Sequence, residues 1–374
     1  YSGPTNNPPS GSRINFPRAI AVDGSGSVYV TGSSARGDGE ASDYATVKYD
    51  ANGNQLWAAI YDGPIHGNDV ANAIAIYSPN EVYVAGISGL VKYDANGNPL
   101  WTRYAVAYAL ALDTEGNVAI AGTDLDEGDN VEIVKYAPNG NQLWRATYNG
   151  AIGESDAATQ VRIDGAGNIY ATGTSESACN WVRDPDGGEE WLCDQVIITL
   201  KLDPQGRQLW VARYQSSDQP SDFPVGLDVD AAGNAYVAGN AWPSMTTVTL
   251  KYSPNGTRLW AVRYRDAQHG WDTASGLAVS ANGNAHVAGY SYWRDGSGDD
   301  YFVLKYVSAD VPGFPDIVVP PQGQPVARGS NALFTVVATG VEPLTYQWRF
   351  NGIAMDGATN STLLIAHVQF DHEG

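Results

Sequence analysis

The sequence contains few cysteines, few methionines and few positive charges. Of its 374 residues, two are Cys, two are Met and 21 are Lys or Arg, against 41 Asp or Glu. The formal net charge of −20 makes phosphate backbones and anionic lipid surfaces poor partners, so neither nucleic acid nor a membrane surface is expected to bind. An acidic surface attracts cations, including calcium, but high acidity is also a common route to solubility.

Several signals that mark particular classes of protein are missing. The sequence has no apolar run long enough to span a bilayer and no amphipathic run at helical spacing. It also lacks a nucleophile elbow, a P-loop, a dinucleotide-binding fingerprint and zinc-ligand spacing. The first twelve residues are polar and rich in Pro and Gly, and they do not form a signal peptide. We expect the natural chain to begin further upstream.

The two cysteines, Cys179 and Cys193, lie 14 positions apart and bracket a loop-like insertion at residues 180–192. A disulfide that closes so short a loop stabilises it by about 3 kcal/mol in the chain-entropy model. Such a bond indicates an oxidising compartment. Buried free thiols are the alternative, whereas a zinc site would lack two of its four ligands.

An internal repeat dominates the sequence. A segment of the type AIAVDGSGSVYVTGS occurs six times, and five copies continue into a segment of the type VKYDANGNQLW. The tryptophans of this second segment are Trp57, Trp101, Trp144, Trp210 and Trp260. Each unit contains four short apolar stretches, and its D-x-x-G-N and D-A-N-G-N links are typical of hairpin turns.

Four antiparallel strands repeated six times predict an all-β fold, a six-bladed β-propeller with the tryptophans packed between blades. The paired motifs resemble the SBBP β-propeller repeat family of secreted bacterial proteins, over roughly residues 1–306. That resemblance implies a fold and export from the cell rather than a reaction. The sixth unit lacks its last strand, while Tyr1-Ser-Gly-Pro matches Tyr61-Asp-Gly-Pro. We therefore expect the propeller to cover residues 1–310, with blade six closed by the N-terminal strand.

A second domain is expected after a linker at residues 311–315. Residues 316–374 resemble the cysteine-free immunoglobulin-like β-sandwiches of large bacterial secreted proteins, with Trp348 as the core tryptophan. Their 59 residues fall short of the roughly 100 of a whole domain. A sandwich without its last strands exposes a sheet edge, so either the parent chain is longer or a neighbouring molecule supplies a strand.

Candidate site residues fall in the links where unit length varies, because variable loops carry function more often than repeated turns. The insertion contains a D-x-D-G-x-x-E pattern that resembles a calcium loop, with a solvated acidic loop as the alternative. Its carboxylates are Asp184, Asp186, Glu189 and Glu190.

Two links carry a histidine three residues before an aspartate: His66 and Asp69, and His269 and Asp272. These pairs suit acid/base catalysis or metal binding, but an aspartate at the start of a strand can instead bind backbone amides. Nearby aromatic residues suit stacking on sugar rings or packing within loops. They are Trp242, Trp271, Tyr292 and Trp293.

Three functions are compatible with these features. The first is a secreted or cell-surface binding and structural module that presents an acidic, loop-rich propeller face to an extracellular glycan, to an extracellular protein or to another copy of itself. The second is a polysaccharide lyase or hydrolase acting at the propeller mouth through the histidines and carboxylates. The third is a subunit of an extracellular filament, assembled by strand exchange through the sandwich domain.

Overall fold

The computed structural model describes residues 14–35, 41–124, 129–150, 155–183, 189–216, 221–265, 269–293, 298–307, 316–319, 321–322, 326–339, 344–350 and 353–368. All regular secondary structure in these segments is β-strand, which confirms the all-β prediction. They include no helix that could cross a membrane.

Six antiparallel sheets follow one another along the chain, five with four strands and the last with three. In every sheet the strands pair in sequence order. Sheet one contains β1 (Ile14–Val22), β2 (Val28–Ala35), β3 (Ser42–Tyr49) and β4 (Gln55–Tyr61); sheet two contains β5 (Ala71–Ser78), β6 (Glu81–Gly86), β7 (Gly89–Tyr93) and β8 (Pro99–Arg103); sheet three contains β9 (Ala107–Leu112), β10 (Val118–Asp124), β11 (Asn130–Tyr136) and β12 (Gln142–Tyr148). Sheet four contains β13 (Asp156–Ile163), β14 (Ile169–Arg183), β15 (Glu189–Leu202) and β16 (Gln208–Tyr214); sheet five contains β17 (Ser221–Val229), β18 (Ala235–Trp242), β19 (Thr246–Tyr252) and β20 (Arg258–Tyr264); sheet six contains β21 (His269–Val279), β22 (Ala285–Trp293) and β23 (Asp299–Tyr306).

An aspartate side chain closes most of the predicted hairpin turns. In sheet one, the Asp23 carboxylate accepts hydrogen bonds from the amides of Ser25 (2.9 Å) and Ser27 (3.0 Å), and Gly26 takes a φ of +82°. Asp50 caps the turn between β3 and β4 in the same way. Because the side chain satisfies amides that the reversing chain leaves unpaired, this motif favours the turn. Asp113, Asp164 and Asp230 repeat it in sheets three to five, whereas Ser280 takes the same position in sheet six.

Tryptophans join each sheet to the next, as the sequence predicts. The indole N–H donates to a carbonyl in the turn between the third and fourth strands of the following sheet, at 2.9–3.0 Å: Trp57 to Ala95, Trp101 to Pro138, Trp144 to Pro204 and Trp210 to Pro254. Five buried apolar clusters each draw residues from two successive sheets. The core therefore lies between the sheets, in a propeller-like arrangement.

The first strands of the sheets contact one another in succession, from β1 to β21, but no comparable contact joins sheet six to sheet one among the described residues. Sheet one and sheet six therefore each have one face that no described neighbouring sheet covers. Ile20 and Val22 of sheet one are 67% and 60% exposed, and Tyr301 and Val303 of sheet six are 88% and 64% exposed. A cavity of about 240 Å³, lined in part by Phe16, lies on the open face of sheet one.

The cysteine-bracketed insertion differs from its prediction. It extends the hairpin of β14 and β15, so residues 180–183 and 189–192 are strand rather than loop. Trp181 and Trp191 occupy opposite positions in this register, and aromatic residues are enriched in strands, so the composition of the segment favours strand. Cys179 lies directly opposite Cys193, and the two form a disulfide, as predicted.

The C-terminal segment contains three separate two-stranded pairings in the described residues. Their strands are β24 (Asp316–Val319), β25 (Ala332–Thr335), β26 (Val337–Thr339), β27 (Arg349–Phe350), β28 (Ile353–Ala354) and β29 (Thr362–Ile365). Trp348 is only half-buried, and its indole N–H donates to the Asn360 carbonyl at 2.8 Å. A core role for this tryptophan stays a prediction.

Candidate functional site

Four of the sheets have a buried aspartate in, or just before, their first strand. These residues are Asp69, Asp156, Asp222 and Asp272, each at most 1% exposed. The Gly63 amide donates to Asp69 Oδ2 at 2.5 Å, and the Ser216 amide donates to Asp222 Oδ2 at 2.5 Å. The backbone-binding alternative therefore applies to both carboxylates, which hold the link in place.

The predicted His66–Asp69 pair is not in direct contact. His66 Nδ1 lies 2.9 Å from Asp62 Oδ2 instead, and both of these side chains are exposed. The second pair is incomplete in the structure, since the His269 side chain lies outside the described residues while Asp272 is buried. The two links enter sheets two and six, and no described contact brings them together.

Asp69 nevertheless influences its surroundings. Burial raises the pKa of Tyr61, and the negative charge of Asp69 raises it further. Tyr44 has a raised pKa mainly because it is buried, and the charge of Asp69 adds to that effect. Both phenols therefore stay protonated at neutral pH, and the Tyr44 hydroxyl donates to the Gly89 carbonyl at 3.1 Å.

The predicted aromatic residues gather at one end of sheets five and six. Trp271 and Tyr292 lie opposite each other on β21 and β22, with ring centroids 5.7 Å apart and planes inclined by 33°. They are 51% and 43% exposed, and Trp242 at the end of β18 is 51% exposed. Trp293 ends β22 opposite His269, but its side chain lies outside the described residues.

The predicted calcium loop is covered only in part. Asp184 and Asp186 lie outside the described residues, while Glu189 and Glu190 begin β15, opposite Arg183 and Val182. Their side chains also lie outside the description, so calcium binding at this loop stays a prediction.

A different acidic group was missed in the sequence. Asp43, Asp62 and Asp69 each place one carboxylate oxygen within 4.8 Å of the others at the junction of sheets one and two. The sequence pattern indicated Asp69 through its spacing from His66 but did not connect it with Asp43, because the contact between neighbouring sheets is not visible in the chain order. Asp62 was not selected as a candidate, although it differs from Asn149, the equivalent residue after β12.

Comparisons with known proteins give only distant similarities. No protein-family model matches the chain. An uncharacterized WD repeat-containing protein of Acanthamoeba polyphaga mimivirus is 25% identical over 116 residues, which cover 30% of this chain and 8% of that protein. The chain thus spans only a small part of this curated relative.

Two solved structures are similar in fold. One is a protein of unknown function from Bacteroides caccae, with 13% identity, 71% of this chain and 86% of that chain covered, and a TM-score of 0.43. The other is an ulvan lyase of a polysaccharide lyase family, bound to a saccharide, with 12% identity, 78% and 85% covered, and a TM-score of 0.47. With TM-scores below 0.5, neither similarity bears on the chemistry of this chain.

Proposed function

We propose that this chain is a secreted or cell-surface binding module whose propeller presents aromatic side chains to an extracellular glycan. The observation that carries the proposal is the Trp271–Tyr292 pair, in which two large rings share one face and remain about half exposed. Exposed apolar ring surface is unfavourable in water, and a sugar ring that stacks on it removes that surface from water. Trp and Tyr are enriched among the residues that dominate binding energy.

Charge favours a neutral saccharide as the ligand. Exposed Asp299 lies directly opposite Tyr292 on β23, so a carboxylate borders the aromatic pair. A carboxylate accepts hydrogen bonds from sugar hydroxyls but repels sulfated or uronic residues. The net charge of −20 adds to that repulsion over the whole surface.

The architecture that we propose for this module is a six-bladed propeller followed by an incomplete immunoglobulin-like sandwich. The open faces of sheets one and six support ring closure, because each is equivalent to a face that is buried at the other junctions. Sheet six has three strands among the described residues, which supports our proposal that the N-terminal segment supplies a fourth. The disulfide supports an extracellular location, and the sandwich serves as a spacer or as a contact with other copies.

Binding of neutral and anionic oligosaccharides to the whole chain tests the proposal. We expect Trp271→Ala and Tyr292→Ala each to weaken binding of a neutral glycan by about 30-fold, the effect of losing an anchor worth about 2 kcal/mol. Trp181→Ala is the matched control, since Trp181 is 65% exposed on another sheet. Absence of glycan binding at high micromolar concentrations, or equal losses in all three variants, would refute the assignment.

The lyase or hydrolase alternative rests on the two His–Asp pairs. It requires them to converge, whereas His66 contacts Asp62 and no described contact joins its link to the link that carries His269. Turnover of a polysaccharide that is abolished by His66→Ala would favour this alternative over the binding module.

A further inference from the structure

The junction of sheets one and two contains a buried carboxylate oxygen without a partner. Asp69 is 0% exposed, and its Oδ2 accepts the Gly63 amide, but its Oδ1 accepts no hydrogen bond. A buried, charged oxygen that is left unsatisfied is costly, so such an atom calls for a partner. The two residues that approach the Asp69 carboxylate, Asp43 and Asp62, are themselves acidic.

At two other junctions, a serine hydroxyl donates to the equivalent oxygen. Asp222 Oδ1 accepts a hydrogen bond from Ser216 Oγ at 2.7 Å, and Asp272 Oδ1 accepts one from Ser291 Oγ. The residue equivalent to Ser216 at the first junction is Gly63, which carries no hydroxyl. Gly63 therefore lacks the hydroxyl of Ser216, as Gly150 does at the junction of sheets three and four, while Ser88 occupies the position of Ser291.

The residues around the buried aspartate are also more acidic at the first junction than at the others. The residue after the fourth strand is Asp62 at the first junction, whereas the equivalent residues elsewhere are Asn149, Gln215 and Arg265. The amide of the buried aspartate donates to the carbonyl of Ser42, Asp129 or Met245, and the next residues are Asp43, Asn130 and Thr246. Only the first of these junctions therefore surrounds the buried aspartate with two further carboxylates.

We propose that Asp43, Asp62 and Asp69 bind a calcium ion. Calcium takes oxygen ligands at about 2.3–2.6 Å, so two ligand oxygens of one ion lie up to about 5 Å apart, which fits the 4.8 Å limit among these three. The ion fills the coordination of Asp69 Oδ1 and neutralises the mutual repulsion of the carboxylates, and water completes the six to eight ligands. This site is separate from the proposed glycan surface on sheet six.

Calcium titration of the whole chain, after removal of divalent ions with a chelator, tests the site. We expect a binding event in the range of about 0.1–1 mM that is typical of extracellular calcium sites. Asp43→Asn and Asp62→Asn should each weaken that event by at least about tenfold, since even residues that merely support a ligand cost 10- to 100-fold in affinity. Exposed Glu115→Gln removes the same charge on sheet three and should leave binding unchanged.

Two results would overturn the proposal. One is no calcium binding up to about 10 mM, ten times the upper end of the expected range. The other is binding that both Asn variants retain, which would place the calcium elsewhere, for example in the insertion of sheet four. Circular dichroism without calcium verifies that each variant is folded. If Asp43→Asn fails to fold, exposed Asp62→Asn decides between the outcomes.

Discussion

Alanine at Gly206 should destabilise the fold more than alanine at Gly53. Both glycines occupy the fourth position of the turn between the third and fourth strands, with φ of +81° and +85°. They differ in what lies above them. A Cβ added to Gly206 would lie 2.6 Å from Cδ2 of Trp144, whereas a Cβ added to Gly53 would meet nothing within 4 Å.

The magnitudes follow from that difference. Each alanine incurs about 1–2 kcal/mol for the left-handed backbone conformation, a cost common to both positions. At Gly206 the forced contact with a packed indole adds about 1–3 kcal/mol, as for other overpacked cores. Displacing the ring also puts at risk the Trp144–Pro204 hydrogen bond of 3.0 Å, worth about 1 kcal/mol. We therefore expect Gly206→Ala to exceed Gly53→Ala by about 1–4 kcal/mol.

Urea unfolding followed by circular dichroism measures both costs. The excess at Gly206 should disappear in a Trp144→Ala background, since the alanine then meets no ring, and a double-mutant cycle isolates this coupling. Equal losses for the two glycine variants, or an excess that persists without Trp144, would show that the indole does not pack on the turn of the next sheet.

Three further outcomes are expected. Replacing Cys179 and Cys193 with serine should lower the free energy of unfolding by up to about 3 kcal/mol, and the reduced wild type should match the variant in urea unfolding. The pKa of Asp94 is lowered by hydrogen bonds from Asn98 and nearby amides. The stability that Asp94 contributes is therefore present above pH ~4 and is lost as the pH falls through the lower pKa of the folded state. Asp94→Asn should flatten the decline of the melting temperature in that acid range. If the ring closes, Val303→Lys should cost at least about 1 kcal/mol more than Leu143→Lys, although the two side chains are 64% and 51% exposed, and equal melting temperatures would contradict closure.

The repeat made much of the fold predictable. Each hairpin turn follows from local chemistry, since Asp23 and its equivalents bind amides only two and four residues away. The position of Trp57 between sheets follows from its recurrence at one place in the unit. The hairpin around Cys179 was not predicted, because the register that places Trp181 opposite Trp191 does not follow from a repeated motif.

The acidic cluster was harder to predict because its members come from different parts of two units. Asp43 begins a third strand, whereas Asp62 and Asp69 flank the link that follows the fourth. Local sequence patterns identify the link, but they do not show which strand lies beside it. The cluster could have been found by aligning the units on their buried aspartates. In that alignment, Gly63 and Asp62 occupy the positions of Ser216 and Gln215 in a later unit.

Residues that recur in every unit are explained by the scaffold. Lys201, for example, is buried with Nζ 4.8 Å from the centroid of the Tyr170 ring, and the equivalent Lys251 repeats this contact with Tyr236 at 4.9 Å. Such positions stabilise the sheets and leave little scope for a ligand. Chemistry that serves binding must therefore lie where one unit departs from the others, as the exposed rings of sheet six and the extra carboxylates of the first junction do. Each unaltered unit then serves as a control for the altered one within the same chain.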